Sequence, residues 1–316
     1  MFWRKVLGSL LLAGSFTFAA GAQARKVEVK ILSTMLADDD GFGEWGFSAL
    51  VTVDGYPILF DTGAHPDTVL RNVRALHVDL NRTTDVILSH NHLDHTAGLI
   101  ALREAYMKSG GIIRAHVGQG IFTPRVRKDG SVANAMIKFK KEFEADGGTF
   151  VVYDSPREIR PGVWLTGPVP RKYPERNWSG ALSLRGEDGK LTEDNLPEDQ
   201  SLVIDTPKGL VVISGCGHAG VINTLEYART KIRNARIYAA IGGFHLYQAS
   251  DEHLEWTAGK MKEFGLQQFI GAHCTGIEAV YKIRQLVGLT RKTAVVGAVG
   301  AGFTLDSGIL PGSIAH

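Results

Sequence analysis

Four side chains of types that bind metal ions lie within six consecutive residues of this sequence, in the run His90-Asn91-His92-Leu93-Asp94-His95. Three imidazoles and one carboxylate in so short a segment are difficult to explain as packing, and a predicted strand at 85–89 with an apolar centre leads directly into them. Nitrogen and carboxylate ligands suit Zn²⁺, Mn²⁺ or iron. We therefore predict a metal centre, with zinc as the first choice and Mn²⁺ or iron as alternatives.

The spacing within this motif favours two adjacent metal positions. His90 and His92 are two residues apart in backbone that is leaving a strand, so both side chains point to the same side. Asp94 and His95 follow in the turn before a helix, and adjacent residues diverge. This second pair is therefore predicted to reach a second ion beside the first.

Four ligands do not saturate two ions, so further donors must come from later in the chain. The candidates lie in glycine-flanked turns, each after a predicted strand, where a sheet edge builds a pocket. We predict His218 and His273 as ligands. Cys216 is a candidate ligand as well, although a thiol at this position equally suits a structural role. His245 is predicted to be a polar group beside the metal rather than a ligand.

Two further carboxylates each have two interpretations. Asp61, at the end of a predicted strand, either accepts the ring N–H of a metal-bound histidine, which fixes the tautomer, or is a turn aspartate. Asp199 is either a ligand or an ordinary loop acid. The remaining histidines have no clustered partners and are interpreted as surface or packing residues: His65, His77, His116, His253 and His316.

The elements that position these residues are predicted from hydrophobic periodicity and turn residues. Strands are predicted at 27–32, 47–53, 56–60, 85–89, 112–117, 150–153, 163–166, 201–205, 210–214, 236–241, 268–272 and 294–299. Helices are predicted at 66–75, 96–107 with Thr96 as the N-cap, 133–145, 221–232, 252–264 and 277–286.

Each half of the chain is therefore predicted to be a hairpin followed by alternating strands and helices. Two such halves indicate two sheets packed face to face with helices outside, which is a four-layer α/β/β/α sandwich in one domain spanning 25–316. Residues 167–200 contain four prolines and many polar residues. They are predicted to form long loops that wall the active site, the alternative being a disordered spacer.

The start of the chain predicts export. Arg4 and Lys5 precede an apolar run at 6–20, and the small-residue pattern Ala22-Gln23-Ala24 follows. These features indicate a signal peptide at 1–24 that is cut after Ala24, and a periplasmic or secreted product with no membrane attachment after cleavage. The alternative, a membrane anchor, is disfavoured because the apolar run is shorter than the ~20 residues of a spanning helix.

Composition excludes some classes of partner. The chain has 316 residues, of which 44% are hydrophobic and 22% charged, as in ordinary globular proteins. Without residues 1–24, Lys+Arg falls from 35 to 33 and equals Asp+Glu at 33, so the mature chain is formally neutral. A neutral chain has no overall attraction to nucleic acid, which leaves a small molecule as the predicted partner. The two cysteines, Cys216 and Cys274, either form one disulfide or face the metal site.

The motifs resemble those of the metallo-β-lactamase superfamily. The resemblance rests on His90-x-His92-x-Asp94-His95 after an apolar strand, with Asp61-Thr62-Gly63 upstream. It is closest to a branch that has Gly-Cys-Gly-His-Ala-Gly at 215–220, Gly-Gly-Phe-His-Leu at 242–246 and His-Cys-Thr-Gly at 273–276. That branch is named after a 7,8-dihydropterin-6-methyl-4-(β-D-ribofuranosyl)aminobenzene 5′-phosphate synthase.

The resemblance implies the αββα fold, a site with one or two metal ions, most often zinc, and hydrolysis of esters, lactones, amides, thioesters or phosphodiesters. The chain departs from the superfamily at one position. Most members have an aspartate that bridges the two metals where Cys216 stands here. The second metal is therefore either ligated by a thiolate, weakly bound or absent.

Our leading interpretation is hydrolysis of an ester, lactone, amide or phosphoester bond by a metal-bound hydroxide. His90, His92 and His218 would hold one ion, and Asp94, His95 and His273 the other. Asp94 would also orient the hydroxide, and His245 would donate to the developing oxyanion. The alternatives are an iron-dependent redox enzyme on the same scaffold and a metal-binding protein without turnover. The sequence predicts neither the substrate nor the oligomeric state.

Overall fold

The structure, a computed structural model, describes residues 22–178, 181–186 and 188–315. Its strands are β1 (Val27–Ser33), β2 (Leu36–Ala37), β3 (Ser48–Val53), β4 (Tyr56–Phe60), β5 (Asp85–Leu88), β6 (Arg114–Gly118), β7 (Arg125–Val126), β8 (Thr149–Tyr153), β9 (Arg157–Arg160), β10 (Val163–Leu165), β11 (Ser183–Arg185), β12 (Leu191–Glu193), β13 (Leu202–Thr206), β14 (Gly209–Ser214), β15 (Ile237–Gly242), β16 (Gln268–Gly271), β17 (Ala294–Val296), β18 (Ala298–Val299), β19 (Gly302–Thr304) and β20 (Gly308–Leu310). Its α-helices are α1 (Thr68–Ala75), α2 (Leu93–Thr96), α3 (Leu99–Tyr106), α4 (Met136–Ala145), α5 (Val221–Lys231), α6 (Asp251–Glu263) and α7 (Ile277–Val287). Short 3₁₀ helices are found at Met107–Ser109, His273–Thr275 and Ser313–Ala315.

Two large sheets form the centre of the fold. The strand order is β20-β19-β1-β3-β4-β5-β6-β8 in the first sheet and β17-β16-β15-β14-β13-β10-β9 in the second. Strands β4, β5, β6 and β8 are parallel, as are β14, β15, β16 and β17. Because parallel strands end at the same edge of a sheet, the segments that follow them are brought together there.

Burial on both faces explains the sequence of the central strands. In β5, Ile87 packs into the core between the two sheets. Its neighbours Val86 and Leu88 pack on the opposite face, in the core that α1, α3 and α4 cover. The second sheet has the same arrangement, with α5, α6 and α7 over its outer face. These three cores confirm the predicted four-layer α/β/β/α sandwich.

The helix predicted at 96–107 was given the wrong first residue, and the difference changes the secondary structure of the metal motif. Helix α2 begins directly after His92, so Asp94 and His95 lie on the helix itself. Thr96 is the last residue of α2 rather than an N-cap, and its hydroxyl donates to the carbonyl of His92 at 2.9 Å. A second helix, α3, then starts after Gly98. A side chain at position 98 would overlap the carbonyl of Thr62, so glycine allows the two loops to approach closely.

Other boundaries differ in smaller ways. Helix α1 begins at Thr68 rather than at 66, and α4 begins at Met136 rather than at 133. The strand predicted at 294–299 is two strands, because β17 extends the second sheet whereas β18 pairs with β2. Strands β19 and β20 were not predicted, and they complete the first sheet beside β1.

The segment at 167–200 is more ordered than predicted. Strand β11 pairs with β12 on one side and with β7 on the other. The guanidinium of Arg125 is fully buried and binds the carboxylates of Asp194 and Glu198, which ties the segment to the body of the protein. The alternative of a disordered spacer is therefore wrong for the described residues of this segment.

The signal peptide predicted at 1–24 lies outside the described residues except for its last three. Ala24 is fully buried, and its amide donates to the carbonyl of Asp205 at 2.8 Å. Among the described helices, none combines the length and apolar character that crossing a membrane requires.

Candidate metal centre

The candidate site lies where parallel strands of both sheets end. Asp61 follows β4, His90 follows β5, Cys216 and His218 follow β14, His245 follows β15, and His273 follows β16. Three of these residues have left-handed backbone, with φ of 54° at Asp61, 49° at His245 and 45° at His273. This backbone conformation is unfavourable for residues other than glycine. Residues that adopt it are often found in functional sites, where it directs their side chains.

The first ligand group consists of His90, His92 and His218. Their candidate ligand atoms all lie within 4.8 Å of one another. The Nε2 atoms of His90 and His218 are buried and have no hydrogen-bond partner among the described residues. A buried nitrogen without a partner is destabilising by about 1–3 kcal/mol. A metal ion among the three rings would satisfy these atoms, so the residues fit the zinc that the sequence predicts.

The second group consists of Asp94, His95 and His273, which also lie within 4.8 Å of one another. The Nε2 atoms of His95 and His273 are 3.3 Å apart, and His273 Nε2 is 3.3 Å from Asp94 Oδ2. Two nitrogens that each lie ~2.0 Å from a tetrahedral zinc ion would be separated by ~3.3 Å. The second group therefore also has the spacing of a metal site.

Cys216 lies between the two groups. It forms a cluster with His90 of the first group and His95 of the second, and its Sγ is 3.1 Å from His95 Nε2. The thiol thus occupies the position where a bridging ligand is expected. Cys216 and Cys274 are both free, so the disulfide that the sequence allowed is not formed in this structure.

One carboxylate orients histidines of both groups. Asp61 is fully buried, and its Oδ2 accepts from His95 Nδ1 at 2.7 Å and from the Ser89 hydroxyl at 2.8 Å. Because Ser89 gives its only hydroxyl proton to Asp61, His90 Nδ1 must donate to the Ser89 oxygen, 2.8 Å away. Both histidines then carry a lone pair on Nε2, which is the form a metal requires.

A loop carbonyl fixes the third tautomer. His218 Nδ1 donates to the backbone carbonyl of Asn177, in the segment predicted to wall the site. That loop is held by Glu175, whose carboxylate accepts from the amides of Ile222 and Asn223 at the start of α5, at 3.1 and 2.9 Å. Sequence reasoning missed Ser89, Asn177 and Glu175. Ser89 had a local signal, its position next to His90, whereas the loop contacts had none.

Burial keeps the first group neutral. It lowers the pKa of His90 and His218 well below the ordinary value, and lowers that of His92 to about 4. Neutral imidazole is the ligand form, so this group is ready to bind at neutral pH. For His273, burial lowers the pKa, but the charges of Cys274 and Asp94 outweigh it and raise the pKa to about 10. A metal entering the second group must therefore displace a proton.

A cavity of about 480 Å³ opens beside the first group. Its lining includes His92, Trp178, His218, His245 and Tyr247. The ring nitrogen Nδ1 of His245 is buried without a partner among the described residues. The cavity therefore offers room for a small molecule and presents a histidine to it. His253, interpreted as a surface or packing residue, lines the same cavity.

The remaining predicted residues lie outside the two groups. Asp199 is buried, and burial raises its pKa to about 7; its Oδ2 accepts from the Ala219 amide at 2.9 Å. It belongs to no ligand cluster among the described residues. His65 contacts the carboxylate of Glu44, and His116 forms hydrogen bonds with Asp85 and Tyr153. These contacts suit surface and packing residues. His77 belongs to no ligand cluster, and His316 lies outside the described residues.

Comparison with known proteins gives matches over most of the chain. The family described as "Metallo-beta-lactamase superfamily" matches residues 46–230. A relative from Methanocaldococcus jannaschii, named 7,8-dihydropterin-6-methyl-4-(beta-D-ribofuranosyl)-aminobenzene-5'-phosphate synthase, is 30% identical over 80% of this chain and 90% of its own. A crystal structure described as a metal-dependent hydrolase of the beta-lactamase superfamily has a TM-score of 0.71 and 29% identity, covering 89% of this chain and 99% of the other. Zn²⁺-bound PqqB from Methylobacterium extorquens, at 18% identity, covers 88% of this chain and 99% of its own with a TM-score of 0.53, and supports the fold alone.

Proposed function

Because this chain belongs to the metallo-β-lactamase superfamily, we propose that it is a metal-dependent hydrolase of a small-molecule ester, lactone, amide or phosphoester. The observation that carries the proposal is the pair of buried Nε2 atoms of His90 and His218, which have no partner among the described residues and lie directly beside the second group. We propose zinc, with one or two ions. When bound, zinc lowers the pKa of water from ~15.7 toward ~7 and polarises a carbonyl or phosphoryl oxygen.

Two residues of the site have proposed roles in the reaction. Asp94 is the ligand residue with an accessible carboxylate, 22% exposed, so it is placed to accept a hydrogen bond from the attacking water and orient it. Burial raises the pKa of Asp94, but the nearby His95 and His273 outweigh this and keep it ionised. His245 faces the cavity and would donate to the negative charge that develops on the substrate.

We also propose that the protein is exported and acts in the periplasm or outside the cell, as the first 24 residues suggest. The burial of Ala24 bears on the cleavage position, because a cut after Ala24 would remove a residue from the core. The mass of the mature protein identifies the first residue. A mature chain that retains residues 1–21 would contradict export with cleavage.

The proposed activity is tested by metal content together with a substrate panel. Protein purified without chelators is analysed for zinc, manganese and iron, and is assayed on lactone, phosphodiester, thioester and β-lactam substrates. Because the M. jannaschii relative is named as a synthase, formation of the dihydropterin compound in its name is assayed as well. Zinc-dependent hydrolysis that is lost in Asp94→Asn supports the proposal. One equivalent of iron without any hydrolysis would favour the redox alternative instead.

A further inference from the structure

Two buried thiols meet at the edge of the metal centre. The Sγ atoms of Cys216 and Cys274 are 3.2 Å apart, and the two residues are 2% and 1% exposed. A disulfide has an S–S distance of ~2.05 Å, so the two sulfurs need approach each other by only about 1.1 Å to bond. The two residues follow β14 and β16, which flank β15, so the contact is built by the sheet rather than by adjacent sequence.

The backbone around Cys216 and Cys274 allows their sulfur atoms to lie close together. At Gly243, between the two turns, a Cβ would overlap the carbonyl of Gly215 and would lie 3.0 Å from Cys274 Sγ. Glycine therefore allows the two cysteine-bearing turns to approach. The amide of His245 donates to Cys274 Sγ at 3.3 Å, which holds this sulfur in place.

We propose that Cys216 and Cys274 form a reversible oxidation site, at which a peroxide converts the two thiols to a disulfide and removes Cys216 from the metal centre. The oxidation does not depend on the proposed hydrolase activity. Its effect on metal binding rests on the assignment of the ligand groups.

The chemistry balances with hydrogen peroxide as the oxidant. Cys216 clusters with His218 and His245, which line the cavity, so the pair of sulfurs lies beside the cavity through which a small oxidant would arrive. One of the two sulfurs attacks the peroxide, an S–O bond forms, the O–O bond breaks and one water leaves. The other sulfur then attacks the oxidised sulfur, the S–S bond forms, the S–O bond breaks and a second water leaves. Two thiols are thus oxidised by two electrons, and one peroxide is reduced to two waters.

The disulfide would alter the metal centre without dismantling it. Cys216 lies between His90 and His95, so losing its thiolate removes the donor shared by the two groups. The all-histidine group and the group containing Asp94 keep their own donors. We expect the affinity for zinc to fall by about tenfold or more, since even the loss of an outer partner of a ligand has an effect of that size.

The experiment uses the full chain after metal removal, treated with hydrogen peroxide and then denatured. Free thiols are counted with a maleimide label, and the intact mass is measured before and after reduction with dithiothreitol. Zinc affinity of the oxidised and reduced protein is measured by competition with a chromophoric chelator. Two variants serve as controls: Cys274→Ser removes only the partner, and Cys216→Asp replaces the thiol with a carboxylate that can still bind metal.

Loss of both labelled thiols and of two hydrogen masses, reversed by dithiothreitol and absent from both variants, is the expected result. The oxidised protein should bind zinc at least about tenfold more weakly, and Cys216→Asp should bind it equally before and after peroxide. A gain of oxygen mass without cross-linking overturns the proposal, as do thiols that persist. A disulfide that leaves zinc affinity unchanged overturns the link to the metal centre.

Discussion

Replacing Asp61 with asparagine tests whether one carboxylate prepares both groups for metal. Asparagine would present an N–H₂ where Oδ2 now accepts from His95 and Ser89. His95 Nδ1 would then have to accept, and its proton would move to Nε2, the atom that faces His273. Such partners contribute about 10- to 100-fold to metal affinity, or about 1.4–2.8 kcal/mol. We expect a loss of zinc affinity in this range, measured by competition with a chromophoric chelator.

The matched control is Ser89→Ala, which removes the link from Asp61 to His90 but leaves the direct contact with His95. This variant should weaken zinc binding less than Asp61→Asn, because only one group loses its orienting partner. Thermal unfolding of the metal-free proteins checks that each variant is folded. Zinc affinity of Asp61→Asn equal to that of the wild type would refute the reasoning, as would an equal loss in the two variants.

Three further predictions concern other parts of the site. Gly215→Ala should weaken zinc binding although glycine is no ligand, because its Cβ would overlap the Ser89 hydroxyl; unchanged affinity in a chelator competition would contradict this. His92→Ala should lower zinc affinity by about a hundredfold or more, whereas His77→Ala, outside the ligand clusters, should not, as isothermal titration can measure. Burial raises the pKa of Glu175 from 4.5 to about 7, so the folded protein holds a proton that the unfolded chain releases in this interval. The stability of the wild type relative to Glu175→Gln should therefore fall by up to about 3 kcal/mol as the pH rises through this range; a pH-independent difference in urea unfolding would contradict it.

The features of the fold and site that could be predicted are those that a short stretch of sequence indicates. The motif from His90 to His95 is contiguous, and His218 and His273 each follow a recognisable apolar strand, so a metal centre and its candidate ligands could be predicted from the sequence, and the structure brings these side chains together. The superfamily resemblance that rested on the same motifs is confirmed by the family match and the M. jannaschii relative. The layered fold was predicted because each half of the sequence indicates a hairpin followed by alternating strands and helices, and two such halves give two packed sheets with helices outside.

The parts that were missed depend on contacts between distant residues. Asn177 and His218 are 41 residues apart, and Cys216 and Cys274 are 58 apart. Neither periodicity nor a turn residue predicts such a contact, because the contact forms only after the two sheets have packed. Strands β19 and β20 were missed for a different reason. Each has three residues, which is too short for alternation to distinguish a strand from a loop.

We propose that His90, His92 and His218 hold one metal ion and that Asp94, His95 and His273 are placed to hold a second. Diffraction from crystals of zinc-loaded protein, measured on both sides of the zinc absorption edge, tests this assignment most directly. We expect an anomalous peak within ~2.0–2.1 Å of the ring nitrogens of the first group, and a second peak, of equal or lower occupancy, at the second group where a second ion binds. Zinc bound only at other residues, with no peak at either group, would contradict it.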